Sequence, residues 1–209
     1  MTKISQVTRT LLACGVIAGP LFILVAVIQV LTRPGFDIGR HPISLLSLGN
    51  LGWVQIANFV ACGLLVIGFA IGVRLVLHPG KGDTVGPLLF GAYGTGLIIA
   101  GVFPPDPSLG FPPGAPETIP ATISLNAMLH GLGFVLAFGS VTFAFFMFAF
   151  RDASLNRRGW AACSVAIAFA ALALIMWPGQ EGISIRYLIA AVIVMLWTSV
   201  LAVRLMMEQ

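Results

Sequence analysis

Six apolar blocks dominate the chain, at approximately 11–31, 52–77, 86–102, 125–150, 160–177 and 187–205, with short polar or proline-rich connections between them. A helix needs about 20 mostly apolar residues to cross the hydrocarbon core of a bilayer. In lipid its backbone groups must be paired within the segment. The third and fifth blocks are short, and the second and fourth are long enough to tilt or protrude. Only 9% of the residues are charged, against roughly 25% in a soluble domain, so water cannot be the solvent for most of the surface. The expected fold is therefore all-α: a single transmembrane domain over residues 1–209, built as a six-helix polytopic bundle.

Lys3 and Arg9 precede the first block as in a signal peptide, but the apolar run is too long for an h-region. No small-x-small cleavage site comes before Pro34. Leu12-Ala13-Cys14 has the form of a lipoprotein cleavage box, placed at the start of the apolar run instead of after it. The block reads as a signal anchor. Basic residues stay on the cytoplasmic side. With the N-terminus inside, the inner segments hold Lys3, Arg9, Arg74, Lys81, Arg151, Arg157, Arg158 and Arg204, and the outer ones hold Arg33, Arg40 and Arg186. This bias places both termini in the cytoplasm. Although the pI is near 9.4, the basic residues lie scattered between apolar blocks and form no stripe for nucleic acid.

The inner connections, 78–85 and 151–159, are short and basic. The outer connection 103–124 holds seven of the thirteen prolines. Proline fixes φ and removes a donor, so this loop is expected to be stiff, extended and cover-like. Cys14, Cys62 and Cys163 lie in apolar blocks without CxxC spacing and read as reduced packing residues. Gly15 and Gly19, Gly68 and Gly72, and the run Gly91, Gly94, Gly96 and Gly101 offer close backbone approach, the main attraction between helices in lipid. The same faces offer a route to a homo-oligomer.

The stretch Arg40–Asn58, RHPISLLSLGNLGWVQIAN, gathers the polar groups that invite a function. No ionised side chain lies near the centre of any block, which argues against ion-coupled transport. A single histidine within the apolar blocks argues against a bis-histidine haem. Gln55, Asn58 and Cys62 fall on one face of the second helix, and Asn126 and His130 on one face of the fourth. A buried amide or imidazole needs a partner, so both stripes are expected to turn inward, either bonding each other as structural glue or lining a polar pocket with His41, Ser44 and Ser47. Under the second reading the proline loop roofs the pocket and brings Asp106. His41, Asp106 and His130 could then hold a zinc ion with an open position, or Asp106 could orient an imidazole as general base, with Ser44 beside it. Arg40 and Arg186 sit where guanidinium groups meet lipid phosphates, or act as plain interfacial anchors like Trp53 and Trp177.

The segments HPISLLSLGNLGWVQIANFVACGLLVIGFAIGVR, GVFPPDPSLGFPPG and LHGLGF together resemble the bacterial membrane proteins grouped as domain of unknown function 998. The resemblance spans nearly the whole chain. It rests on His41, Ser44, Ser47, Gly49, Gly52, Trp53, Asn58, Phe103, Pro104, Asp106, Pro107, His130 and Gly131. It implies a six-to-seven-helix bacterial inner-membrane protein and no assigned activity, substrate or cofactor. The ceramidase and adiponectin-receptor superfamily, with zinc on three histidines, fits less well. His78 falls on the cytoplasmic side, and a seventh helix is missing.

The sequence thus points to an inner-membrane protein that interacts with membrane lipids, either as a scaffold or through an outward-facing polar pocket for a lipid or small amphiphile. A metal-dependent or acid–base hydrolase at the outer interface is the alternative, and a passive transport element the weakest reading. Alkaline phosphatase fused after Gly114 is expected to be active and the same enzyme fused after Ser154 inactive. The reverse pattern would invert the orientation.

Overall fold

The computed structural model describes residues 5–179 and 181–208, so Lys3 of the charge count lies outside the described residues. Six α-helices follow one another: α1 (Gln6–Thr32), α2 (Gly52–Leu77), α3 (Val85–Val102), α4 (Leu125–Ser154), α5 (Arg158–Met176) and α6 (Ile183–Met207). A short 3-10 helix, Ile43–Ser47, lies between α1 and α2. All six α-helices are long and apolar enough to cross a membrane, and no strand occurs among the described residues. The protein is an all-α, six-helix polytopic membrane protein.

α1 and α6 start ahead of their apolar blocks and α4 runs past the end of its own, whereas α2 keeps the bounds of its block and α5 stops one residue short. Ser5 Oγ accepts the Thr8 N–H at 3.1 Å and starts α1 ahead of residue 11. Ser124 Oγ accepts the Ala127 N–H at 3.1 Å at the start of α4. Such N-caps satisfy amides that have no partner within the helix. Arg186 joins α5 to α6, donating from Nη1 to Trp177 O at 2.8 Å and from Nη2 to Gly179 O at 2.7 Å.

Successive helices are neighbours, and α6 packs back on α1, closing a ring. Glycine decides how closely they approach. A Cβ on Gly63 would lie 2.6 Å from Gly94 O, and one on Gly96 would lie 2.7 Å from Gly133 O. On α3, Gly94 therefore admits α2 and Gly96 admits α4. Gly19 of α1 is pressed on the Met195 carbonyl of α6, and Gly72 of α2 on the backbone at Leu12. These glycines work within the bundle, whereas a Cβ on Gly91 would meet nothing. α5 is the most peripheral helix, burying only Ser164, Ala168 and Ala171.

The loops 33–51, 103–124 and 177–182 gather at one end, here the loop end. Residues 78–84 and 155–157, the start of α1 and the end of α6 share the other, the terminal end. There Asp152 of α4 is fully buried and receives both Arg204 terminal nitrogens from α6, one at 2.7 Å. Arg204 Nε also donates to Glu208 at 2.6 Å, Arg157 pairs with Glu208 at 2.7 Å, and the guanidinium stacks 4.4 Å over the Trp160 ring. Removing one member of a buried pair strands the other charge and costs about 3–5 kcal/mol, while replacing both with apolar side chains is often close to neutral. Asp152→Ala is expected to lower stability by about that amount, and Asp152→Leu with Arg204→Met to regain most of it, as read by thermal unfolding in detergent. Equal losses in the two variants would contradict this account.

Candidate functional site

At the loop end the chain builds a small core of its own around Arg33, which is buried at the C-terminus of α1. Arg33 Nη1 donates to Leu46 O at 3.0 Å and Nη2 to Leu48 O, which fixes the 3-10 helix. The guanidinium also lies 5.4 Å from the centre of the buried Phe111 ring. Phe36 and His41 pack on the same ring, with centroids at 5.2 and 5.5 Å. Gly49 turns the chain at φ +73°, and Gly52 sits directly against the Ser47 carbonyl, where a side chain has no room.

His41 is held on both edges. Its Nδ1 accepts the Asp37 N–H at 2.9 Å, which leaves the proton on Nε2, and Nε2 donates to Leu109 O at 2.9 Å. The ring staples the 33–51 loop to the proline loop and has no free nitrogen for metal or substrate. Asp106 lies elsewhere, accepting the Ser124 N–H at 2.9 Å beside the first turn of α4. Hydrogen bonding from Ser124 holds its carboxyl below the usual range. His130 donates from Nδ1 to Ala100 O at 2.8 Å and Phe103 O at 3.0 Å, the carbonyls left open at the end of α3. The expected zinc site and the Asp–His base thus give way to three separate structural contacts. Among the described residues no three His, Cys, Asp or Glu side chains converge where a metal could sit. His78 is at the terminal end, where it holds the Asp83 carboxylate well below its usual range together with Arg74.

The α2 stripe turns inward, but toward α1. Gln29 Nε2 donates to Gln55 Oε1 at 2.7 Å, Asn58 Nδ2 donates to Phe22 O at 3.1 Å, and Cys62 Sγ contacts Ala18 O at 3.5 Å. Gln55 and Asn58 are glue between two helices and do not meet His130. Asn126 is exposed in the first turn of α4. Arg40 pairs with Glu117 of the proline loop at 2.6 Å, and Arg186 is occupied at the α5–α6 hairpin. Trp53 and Trp177 are exposed.

What the loop-end half of the bundle does contain is a cavity of about 300 Å³. Its inner wall is Phe22 of α1, Phe59 of α2, and Tyr93, Leu97 and Ala100 of α3, all buried. Pro42, Ile43 and Ser44 lie over it. The roof is therefore the stretch before α2, and no residue of the proline loop lines the cavity. The remaining wall comes from α4 (His130, Gly131, Phe134, Ala137 and Phe138) and α6 (Tyr187, Ala191 and Met195). Gly131 is exposed and Phe134, Phe138, Tyr187 and Ala191 are half-buried, so the chamber is least enclosed on the side of α4 and α6. The Phe134 and Tyr187 rings meet on that side at 5.2 Å. A smaller cavity of about 140 Å³ lies between α1 and α6, sharing Phe22 and Ala191 with the first.

The expected polar pocket is thus an apolar one. Its polar groups are few: the Ser44 and Tyr187 hydroxyls, the Tyr93 hydroxyl, which donates to Met195 Sδ at 3.1 Å, and His130. Its size is at the lower end of small-molecule sites, which are typically ≈ 300–1,000 Å³ and mostly apolar. Fold and cavity together define a multi-pass membrane protein with an apolar chamber among its helices. Residues 16–204 match the family described as protein of unknown function DUF998, and the chain belongs to that family. No curated protein and no solved structure matches the chain.

Sequence patterns missed Arg33, Phe111 and the chamber itself. Arg33 had been visible only as a charge, and Phe111 only as part of a proline loop. His41→Ala is expected to strip partners from the Asp37 N–H and the Leu109 carbonyl, at a net cost of about 1 kcal/mol for each hydrogen bond. Limited proteolysis should then cleave within residues 105–118 sooner than in wild type while circular dichroism keeps the helical content. Unchanged cleavage would show that His41 does not hold the loop.

Proposed function

We propose that the protein binds a lipid or similar small amphiphile in the apolar chamber, admitting it sideways from the bilayer between α4 and α6. In this reading it is a binding or scaffold protein of the bacterial cytoplasmic membrane. The observation that carries the reading is the chamber itself: an apolar space inside a membrane bundle, closed on the α1, α2 and α3 side and partly open on the α4 and α6 side. An acyl chain entering such a space exchanges one apolar solvent for another, so affinity would come from close packing more than from hydrophobic transfer. The basic residues at the terminal end support a cytoplasmic location for that end, and in that orientation the chamber would lie in the outer leaflet. The hydrolase reading draws no support from this geometry, because His41 and Asp106 are committed to backbone groups away from the chamber.

Ala191 lines both cavities, so Ala191→Trp places an indole where the ligand would lie. Native mass spectrometry of wild-type protein in mild detergent is expected to show near-stoichiometric retained lipid, and the variant is expected to lose it. Lipid-free wild type, or equal retention by a folded variant, would refute the chamber as a binding site.

A further inference from the structure

The polar groups of the chamber allow its ligand to be described more closely, on the premise that the chamber binds a lipid. We infer that the ligand carries a neutral hydroxyl head, as in a long-chain alcohol or a diacylglycerol, and that His130 Nε2 accepts its hydrogen.

The assignment rests on the tautomer. Both contacts of His130 Nδ1, Ala100 O and Phe103 O, are carbonyl oxygens, which only accept. Nδ1 therefore carries a proton. In a neutral imidazole the other nitrogen is then an acceptor. A second proton on Nε2 would set an unpaired charge in an apolar space, which is strongly unfavourable, and no carboxylate lies among the described lining residues to balance it. Nε2 has no hydrogen-bond partner among the described residues, although His130 lines the chamber beside Phe59. The two α3 carbonyls orient the ring, so the lone pair is held ready at no further cost in side-chain freedom.

Charge disfavours the commoner lipid heads inside the chamber. No Lys or Arg is among the described lining residues, so a phosphate or carboxylate would enter without a counter-charge and would face the Nε2 lone pair. A hydroxyl supplies one donor to that lone pair. Its own oxygen can accept from Ser44 or Tyr187, the lining hydroxyls not otherwise engaged. The Tyr93 hydrogen is already directed to Met195 Sδ. The rest of the ligand meets only hydrocarbon and aromatic rings.

The test is competitive binding to wild-type protein in nanodiscs, with hexadecanol, its methyl ether, hexadecanoic acid and dioleoylglycerol as probes, each at matched mole fraction in the lipid. Hexadecanol is expected to bind at least about fivefold more tightly than its ether, the scale of one neutral hydrogen bond, and the ionised acid more weakly than either. The ratio of alcohol to ether should fall to about one in His130→Phe, and using the ratio cancels differences in partitioning. Whichever of hexadecanol and dioleoylglycerol binds more tightly tells a free alcohol from a glycerolipid source, and either ordering supports the assignment. Alcohol and ether binding equally to wild type, both displaced by Ala191→Trp, would overturn the hydroxyl assignment and leave the chamber reading standing. Binding of every probe undiminished in Ala191→Trp, or of none in wild type, would overturn the chamber reading and the assignment with it. The wild-type series needs no substitution at His130, so the test survives a His130→Phe variant that fails to fold.

Discussion

Contact between helix backbones at glycine shapes this bundle. In lipid the hydrophobic effect does not pull helices together, and close packing must do so. α3 carries glycines on two faces, and through them α2 and α4 approach until a single added methyl group would collide with a carbonyl. Among the described residues nothing comparable joins α4 to α6 at the loop end, where both line the chamber with aromatic rings and alanines. The chamber lies on the side where glycine does not draw the helices together, so its place follows from where the glycines are.

Spans and fold class were legible because they depend on the amount and length of apolar sequence, which any lipid-exposed helix must show. The inward turn of Gln55, Asn58 and Cys62 was also legible, since an amide cannot face hydrocarbon. Their partners were not. Asn58 bonds a backbone carbonyl at Phe22 and Cys62 one at Ala18, and every residue type carries such a carbonyl. His41 misled for the same reason, because both of its partners are main-chain groups. A histidine and an aspartate near the interface suggested chemistry, whereas the fold uses both to tie loops and a helix end.

The chamber was hidden for a different reason. It arises where small residues from separate helices, Ala100, Gly131, Ala137 and Ala191, happen to face one another. No single helix displays that pattern, since alanine and glycine are frequent on every face. Asp152 shows the converse. It stands near Arg151, Arg157 and Arg158 in the sequence, yet Arg204 reaches it from 52 positions along the chain and both are buried.

The Asp152–Arg204 pair has a mechanical meaning as well. It fastens α4 to α6 at the terminal end, and Phe134, in the wall of the chamber, lies 18 residues back along α4, roughly 27 Å at the helical rise. The two helices are thus held together by ions at the terminal end and line an apolar chamber with aromatic rings and alanines at the loop end. The same pair of helices thereby carries a charged cluster at one end of the bundle and a hydrocarbon-lined space near the other.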